Sequence, residues 1–356
     1  MQINRYSVLR GLAAIMILVV HFGQNFSGYN VISKLNPLFE IGKYGVSFFF
    51  VLSAYLLTNT LKKCAPSTSN LRNYLLRRFF RILPAYYVCV ILLTIITGAS
   101  AWQFLTHIFV IHTISNSTFG GINYPFWSIA VEFSFYMLLP LMVWWCRQRE
   151  SLLLYLMIFL GLSWQLVSGG LRIYGRFDSS YDWSARMFLV TALPAFTLGM
   201  YASFVERNGK LAVMEKIIKL GVFLAAFETI FRFCDLFLIN LPVALQLPRA
   251  AMHGSLGYLA FGSVGFILLT RSYRGILYEN AISRRIIALV GIIGQISFSI
   301  YLWHLPLFEW SAHHSRSLPE GALLAFPTIG VVSIVSYMLI ERPCHSYAVE
   351  HFKIRR

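Results

Sequence analysis

Charge is what this sequence has least of. Asp, Glu, Lys and Arg make up 12% of the 356 residues, against about 25% in a soluble domain. That shortage excludes an ordinary solvated surface. Acid is scarcer still, with 14 Asp and Glu against 30 Lys and Arg and a formal net charge of +16. In a soluble protein such a balance points to nucleic acid. Here 57% of the residues are hydrophobic and the mean hydropathy is +0.65, so bilayer and neighbouring helices are the solvent and no nucleic-acid partner is expected. Cysteine is sparse, at positions 64, 89, 146, 234 and 344 without any CxxC. The odd, scattered set argues against a disulfide framework or a zinc site, and no metal is expected. No small-residue cleavage site follows the apolar run from Leu12 to Val20, so it reads as a retained span and not a signal peptide. Repeats, heptads and Gly/Ser linkers are also missing. The expectation is one transmembrane domain over 1–356, ending in a basic tail with no soluble domain after the last helix.

What is present in abundance is apolar sequence of membrane-crossing length. Such segments run over about 7–26, 44–61, 82–98, 127–146, 151–168, 186–205, 217–238, 254–270, 286–308 and 321–340. The predicted fold class is therefore an all-α integral membrane protein with about ten transmembrane helices and both termini cytoplasmic. Starting inside, the connections alternate in charge. Lys and Arg number 22 on the cytoplasmic side and 8 on the other, as the positive-inside rule requires. The external stretch 99–126 lacks Lys and Arg. Its WQFLTHIFVIH half is apolar enough to lie in the interface or dip back into the protein.

The polar residues inside these spans carry the functional signal. Arg10 and His21 both lie in the first span, in RGLAAIMILVVH. Eleven helical residues turn the chain by about 1100°, so the two side chains share a face and stand roughly 16 Å apart along the axis. An intramembrane cation and imidazole on one stripe are costly, and such residues are functional by default. The plain alternative is an anchor helix with a snorkelling Arg and a His bonded to a neighbour. By position along their helices, Glu132, His304 and His21 are predicted at similar depth in the outer part of the bilayer, and an ionised Glu there needs a partner such as either histidine. Ser297, Tyr301 and His304 recur at i, i+4 and i+7, one helix face. An inner, basic layer comprises Arg10, Arg77, Arg78 and Arg81 in LLRRFFRILP, and Arg342 in IERP. Arg presents a planar fork to phosphate oxygens, whereas Lys62, Lys63, Lys353, Arg355 and Arg356 read as topology-fixing charge. Glu341 beside Arg342 suggests a structural pair, and Glu228, Arg232 and Asp235 a structural charge cluster. His107 and His112, five apart, are expected on different helix faces. His313 and His314 are chain neighbours poorly placed to share a metal. Trp144, Trp145 and Trp183 read as interface anchors. Arg172, Arg176, Asp178 and Asp182 are external and weak candidates for meeting a polar acceptor.

With those residues in view, the chain resembles the acyltransferase 3 family, polytopic acyltransferases that include bacterial polysaccharide O-acetylases. The resemblance spans almost the whole length. It rests on the Arg10-to-His21 spacing, FFFVLSAYLL (48–57), RRFFRILPAYY (77–87), FWSIAVEFSFYMLLP (126–140), ISFSIYLWHLPLF (296–308) and IERP (340–343), in that order. Ala54 stands where such proteins usually have Gly, which bears on helix packing there. The resemblance implies a multi-pass protein of the cell (inner) membrane. It would move an acyl group, most often acetyl, from cytoplasmic acyl-CoA to a hydroxyl of a cell-surface glycan or lipid-linked saccharide, with membrane lipid around it and acetyl-CoA or another acyl-CoA as co-substrate, no cofactor being bound. On that reading Arg10, Arg78 and Arg81 hold the anionic donor head. His21 acts as general base on the acceptor hydroxyl, and Glu132 holds the ring's tautomer and stabilises the imidazolium. Ser297, Tyr301 or His304 bind the acceptor or donate to the oxyanion. A covalent acyl-histidine relay is the rival mechanism. A glycan or lipid-linked sugar transporter without acyl transfer, or a membrane assembly partner, are the rival functions.

Overall fold

The computed structural model describes residues 4–354 except 116, 146–148, 174–187, 209–210, 237–251, 253 and 271–280. The side chain of Arg172, and Arg176, Asp178, Asp182 and Trp183, lie outside the described residues. Every regular element among those described is helical. Among the described residues, helices long and apolar enough to cross a membrane number six, or seven if one bent pair forms a single span. The expected count of ten is thus not confirmed, and each difference has a local cause. The stretch 286–308 is not one rod, because the chain bends by 79° between Gln295 and Ser297. The segment expected at 217–238 lies in a helix, Ala212–Leu236, burdened by Glu215, Lys216, Lys219, Glu228, Arg232 and Asp235. Leu189–Val205 and Ser255–Thr270 are apolar but shorter than a full crossing.

The chain organises into two compact bodies. The first comprises Met1–Leu56, Ala192–Phe298 and Phe308–Ala325. It is built around α1 (Arg5–Asn25), an uninterrupted helix. A capping box starts it: Asn4 Oδ1 accepts from Ser7 N at 2.9 Å, and Asn4 N donates to Ser7 Oγ at 3.1 Å. In a membrane, where burial from water no longer drives helices together, close approach depends on small residues. The neighbours of α1 supply them. They are α2 (Asn30–Phe39), the 3-10 turn Glu40–Tyr44 that leads into α3 (Gly45–Leu61), and, from the far part of the chain, a helix over Ala281–Gln295. A Cβ on Gly294 of that last helix would lie 1.7 Å from Ser7 O, and one on Gly11 would lie 1.9 Å from Val290 O. On other sides of α1, a Cβ on Gly42 would meet Met16 O at 2.1 Å and one on Gly45 would meet Ala13 O at 2.6 Å. Backbone atoms cannot give way as a flexible side chain can, so these glycines set the position of α1. The Gly missing at Ala54 is compensated from across the contact, since Gly199 lies against Ala54 and the carbonyl of Val51. Stacked rings, Tyr44 on Phe261 at 4.0 Å and Phe50 on Phe196 at 4.6 Å, complete this body. Each such pair contributes about 0.5–1.5 kcal/mol beyond its area.

The second body comprises Leu57–Thr191, Ser299–Leu307 and Phe326–Arg356. Its long α4 (Thr68–Thr97) opens on a Ser67 cap and closes on Gly98 at φ 66°, a left-handed stop that suits glycine. α5 (Ala101–Ile108) begins with a Ser100–Gln103 capping box. It ends where Val110 takes φ 58°, a costly conformation for a β-branched residue. The stretch 101–114 does not form a span. Trp102, Leu105, Phe109, Ile111 and Ile114 are exposed, while His107 and His112 are fully buried. Then come a 3-10 turn (Tyr124–Phe126), α6 (Trp127–Trp145) and α7 (Glu150–Ile173). The later helices of the chain are α8 (Leu189–Asn208), α9 (Ala212–Leu236), α10 (Ser255–Thr270), α11 (Ala281–Gln295), α12 (Ser297–His314), α13 (Leu318–Ser336), a π turn (Tyr337–Glu341) and α14 (Arg342–His351). The C-terminal end is tied to α4, with Asn73 donating to Lys353 O at 2.8 Å and Arg77 to Val349 O at 3.1 Å.

Candidate active site

α1 carries Arg10 and His21 along one continuous helix, so the shared face expected from their spacing is kept. The Nδ1 of His21 lies 3.0 Å from Gln24 Oε1, one turn further on. Gln24 Nε2 in turn donates to Glu40 Oε1 at 3.1 Å. Lys43 Nζ stands 3.6 Å from the other oxygen, Glu40 Oε2. Lys43 lies within electrostatic range of Glu228 and Arg232. Those two form a buried i, i+4 pair on α9, Arg232 Nε donating to Glu228 Oε1 at 2.9 Å. A polar chain therefore runs in the first body from the imidazole through Gln24 and Glu40 to Lys43. Sequence reasoning named the imidazole and missed the rest. Gln24 had a readable signal, being i+3 from His21 on a helix. Glu40 and Lys43 had none, because only the fold of α2 and the 3-10 turn brings them back to α1.

The partner of His21 Nδ1 is Gln24. Glu132 belongs to the second body, on α6, half-buried, and its carboxylate accepts from Tyr136 one turn along. On α12, Tyr301 donates its hydroxyl to Pro125 O. A phenol has one proton and a carbonyl only accepts, so Ser128 Oγ, 2.6 Å away, must donate to Tyr301. Ser297 Oγ donates to Gly294 O at 2.9 Å, and His304 Nδ1 donates to Ile300 O and Tyr301 O at 3.1 and 2.9 Å. Each of these three candidates thus commits a donor to a backbone carbonyl. For neutral His304 this leaves Nε2 as the acceptor.

The basic layer divides in two. Arg81 is 2.6 Å from Glu341, a carboxylate that also accepts from Ser299 Oγ at 2.8 Å and is fully buried. Glu341 therefore pairs with Arg81 and not, as the adjacency in IERP suggested, with Arg342. Arg78 has no carboxylate partner among the described residues, and its buried Nε meets no acceptor.

Another correction concerns His107 and His112, expected on different helix faces. Because α5 stops at Ile108, the chain folds back and the two rings stack at 4.0 Å and 5°. His107 Nδ1 donates to Gln103 O at 2.7 Å, and His107 Nε2 meets no partner among the described residues. Burial holds the His107 pKa down from 6.5 to about 4. Burial first, then the neighbouring ring, holds that of His112 down to about 3.

A membrane-embedded bundle with an arginine and a histidine on one face of its first helix defines a class, and comparison with known proteins supplies its family. The profile described as "Acyltransferase domain" matches residues 3–342, and the chain belongs to this acyltransferase 3 family. It is similar to the peptidoglycan O-acetyltransferase OatA of Listeria monocytogenes, 26% identical over 97% of this chain and 56% of that protein. It is also similar to the O-acetyltransferase OatA of Staphylococcus aureus, 25% identical over 97% of this chain and 57% of that protein. A shorter match, 28% identical over 39% of this chain and 41% of the relative, is to the acyltransferase MdmB of Streptomyces mycarofaciens. The chain spans a little over half the length of the OatA proteins it matches. No solved structure matches.

Proposed function

We propose that the protein transfers an acyl group, acetyl by analogy with its relatives, from a cytoplasmic acyl-CoA to a hydroxyl of a cell-surface or lipid-linked glycan at the cell membrane. The observation that carries this reading is α1 itself: one unbroken helix with an imidazole and a guanidinium on a common face, in a chain of the acyltransferase 3 family. His21 takes the proton of the acceptor hydroxyl as that oxygen attacks the thioester carbonyl. The tetrahedral intermediate then collapses, expelling the CoA thiolate, which leaves as the thiol once protonated. Arg10 and Arg78 grip donor phosphates. Arg81, bound to Glu341, shapes the same basic layer through packing. Glu132 supplies negative charge that steadies the imidazolium. Tyr301, Ser297 and His304 serve the acceptor, His304 through an Nε2 able to accept from a sugar hydroxyl.

The test is release of free CoA thiol from acetyl-CoA by purified protein in nanodiscs, with a glycan acceptor present. Wild type should release thiol and transfer label to the acceptor; His21→Ala should do neither. Equal, slow release by both proteins would end the reading and leave a transporter or assembly role in its place.

A further inference from the structure

We infer that Gln24 and Glu40 are positioning residues that fix the proton of the neutral His21 ring on Nδ1 and so make Nε2 the reactive nitrogen. The inference rests on the proposed role of His21 as the base. The carboxylate of Glu40, with Oε2 facing Lys43 at 3.6 Å, offers acceptors only. The group 3.1 Å from its Oε1 must therefore be a donor, which orients the Gln24 amide with its NH2 toward Glu40. The amide oxygen then necessarily points at His21, 3.0 Å from Nδ1. An amide oxygen cannot donate, so the proton between them belongs to Nδ1. With that proton assigned, the lone pair of the neutral ring lies on Nε2. One charge, read through one amide, sets the tautomer of a histidine 19 positions earlier in the chain.

This arrangement does what an aspartate does when it holds a catalytic histidine in one tautomer, with the carboxylate moved one residue further away. The placement suits a membrane. Glu40 and Lys43 keep side-chain exposures of 23% and 26%. Gln24 transmits orientation without carrying charge. It also limits substitution in a specific way. If Glu40 became an amide, either end of Gln24 would be tolerated, and the ring would revert to a mixture of tautomers.

The experiment is nitrogen NMR of histidine-labelled protein in nanodiscs, His21 being assigned by loss of its signals in His21→Asn, together with kcat and donor KM for thiol release. In wild type, Nδ1 should be protonated and Nε2 not. Glu40→Gln should shift His21 toward Nε2–H and lower kcat by about tenfold or more, with donor KM within about twofold, since only the fraction of rings with the correct proton reacts. Gln24→Met should do the same or worse. The exchange variant Gln24→Glu with Glu40→Gln puts the acceptor directly on Nδ1 and a donor behind it, and should restore both the tautomer and most of kcat. A structural role alone would not give that rescue. An unchanged tautomer in Glu40→Gln, a proton on Nε2 in wild type, or an exchange variant no better than the single ones would overturn the inference. Thiol release untouched by His21→Asn would instead remove the reading beneath it, and the NMR result separates the two failures.

Discussion

Histidine occurs in two settings in this molecule. His21 in the first body is joined to Gln24, Glu40 and Lys43, and its ring protons are dictated from outside. His107 and His112 in the second body lie fully buried against each other, with no ion pair to either among the described residues. All three were visible in the sequence as intramembrane or near-membrane imidazoles. What differs is the second partner. A ring whose hydrogen bond leads to a carboxylate can gain and lose a proton as part of a reaction. The stacked rings of His107 and His112 show no such link to a carboxylate among the described residues.

That contrast is open to direct attack. The largest expected effect is on transfer itself. His21→Ala should lower the rate by roughly a hundredfold to ten-thousandfold, the range for loss of a general base. His107→Phe, which preserves the stack, should leave it within a few-fold. Equal losses in both would collapse the distinction.

The arginines offer a second, somewhat smaller contrast. Arg81→Ala strands the buried Glu341 carboxylate and should cost about 3–5 kcal/mol of stability, read as a lowered thermal midpoint in detergent. Arg78→Ala breaks no ion pair. It should leave the midpoint near wild type and raise the donor KM by about tenfold, one charge-assisted hydrogen bond's worth. A midpoint that falls for both, with donor KM unchanged, would place both arginines in the scaffold.

The histidine stack should show itself in acid. Its folded pKa values lie at about 4 and about 3, while the unfolded chain takes up these protons near 6.5. Between those limits the unfolded state binds more protons, so stability falls as pH drops from 6.5 toward 3 and is unaffected above that range. Thermal midpoints of wild type and of the His107→Phe, His112→Phe double variant should diverge on going from pH 7 to pH 4, the variant losing less. Parallel curves would show that the stack does not titrate with folding.

Much of the architecture was legible because its causes are local. Apolar run length marks a helix in lipid, and the capping boxes at Asn4 and Ser100 are sequence patterns within four residues. The shared face of Arg10 and His21 follows from helical pitch alone. The family followed from ordered motifs. The count of spans was less secure, since a bend at Ile296 and the charges of α9 interrupt what hydropathy reads as continuous.

By itself, then, the sequence determined that this is a helical membrane protein of the acyltransferase 3 family with an Arg–His stripe on its first helix. Only the tertiary structure decided which polar groups became partners: Gln24 and Glu40 for His21, Arg81 for Glu341, His112 for His107. The reason is physical. Helix formation in lipid is dictated by each segment's own backbone and apolar length. A buried polar atom must be satisfied by whatever the folded chain brings within about 3 Å, and that distance depends on residues far along the chain.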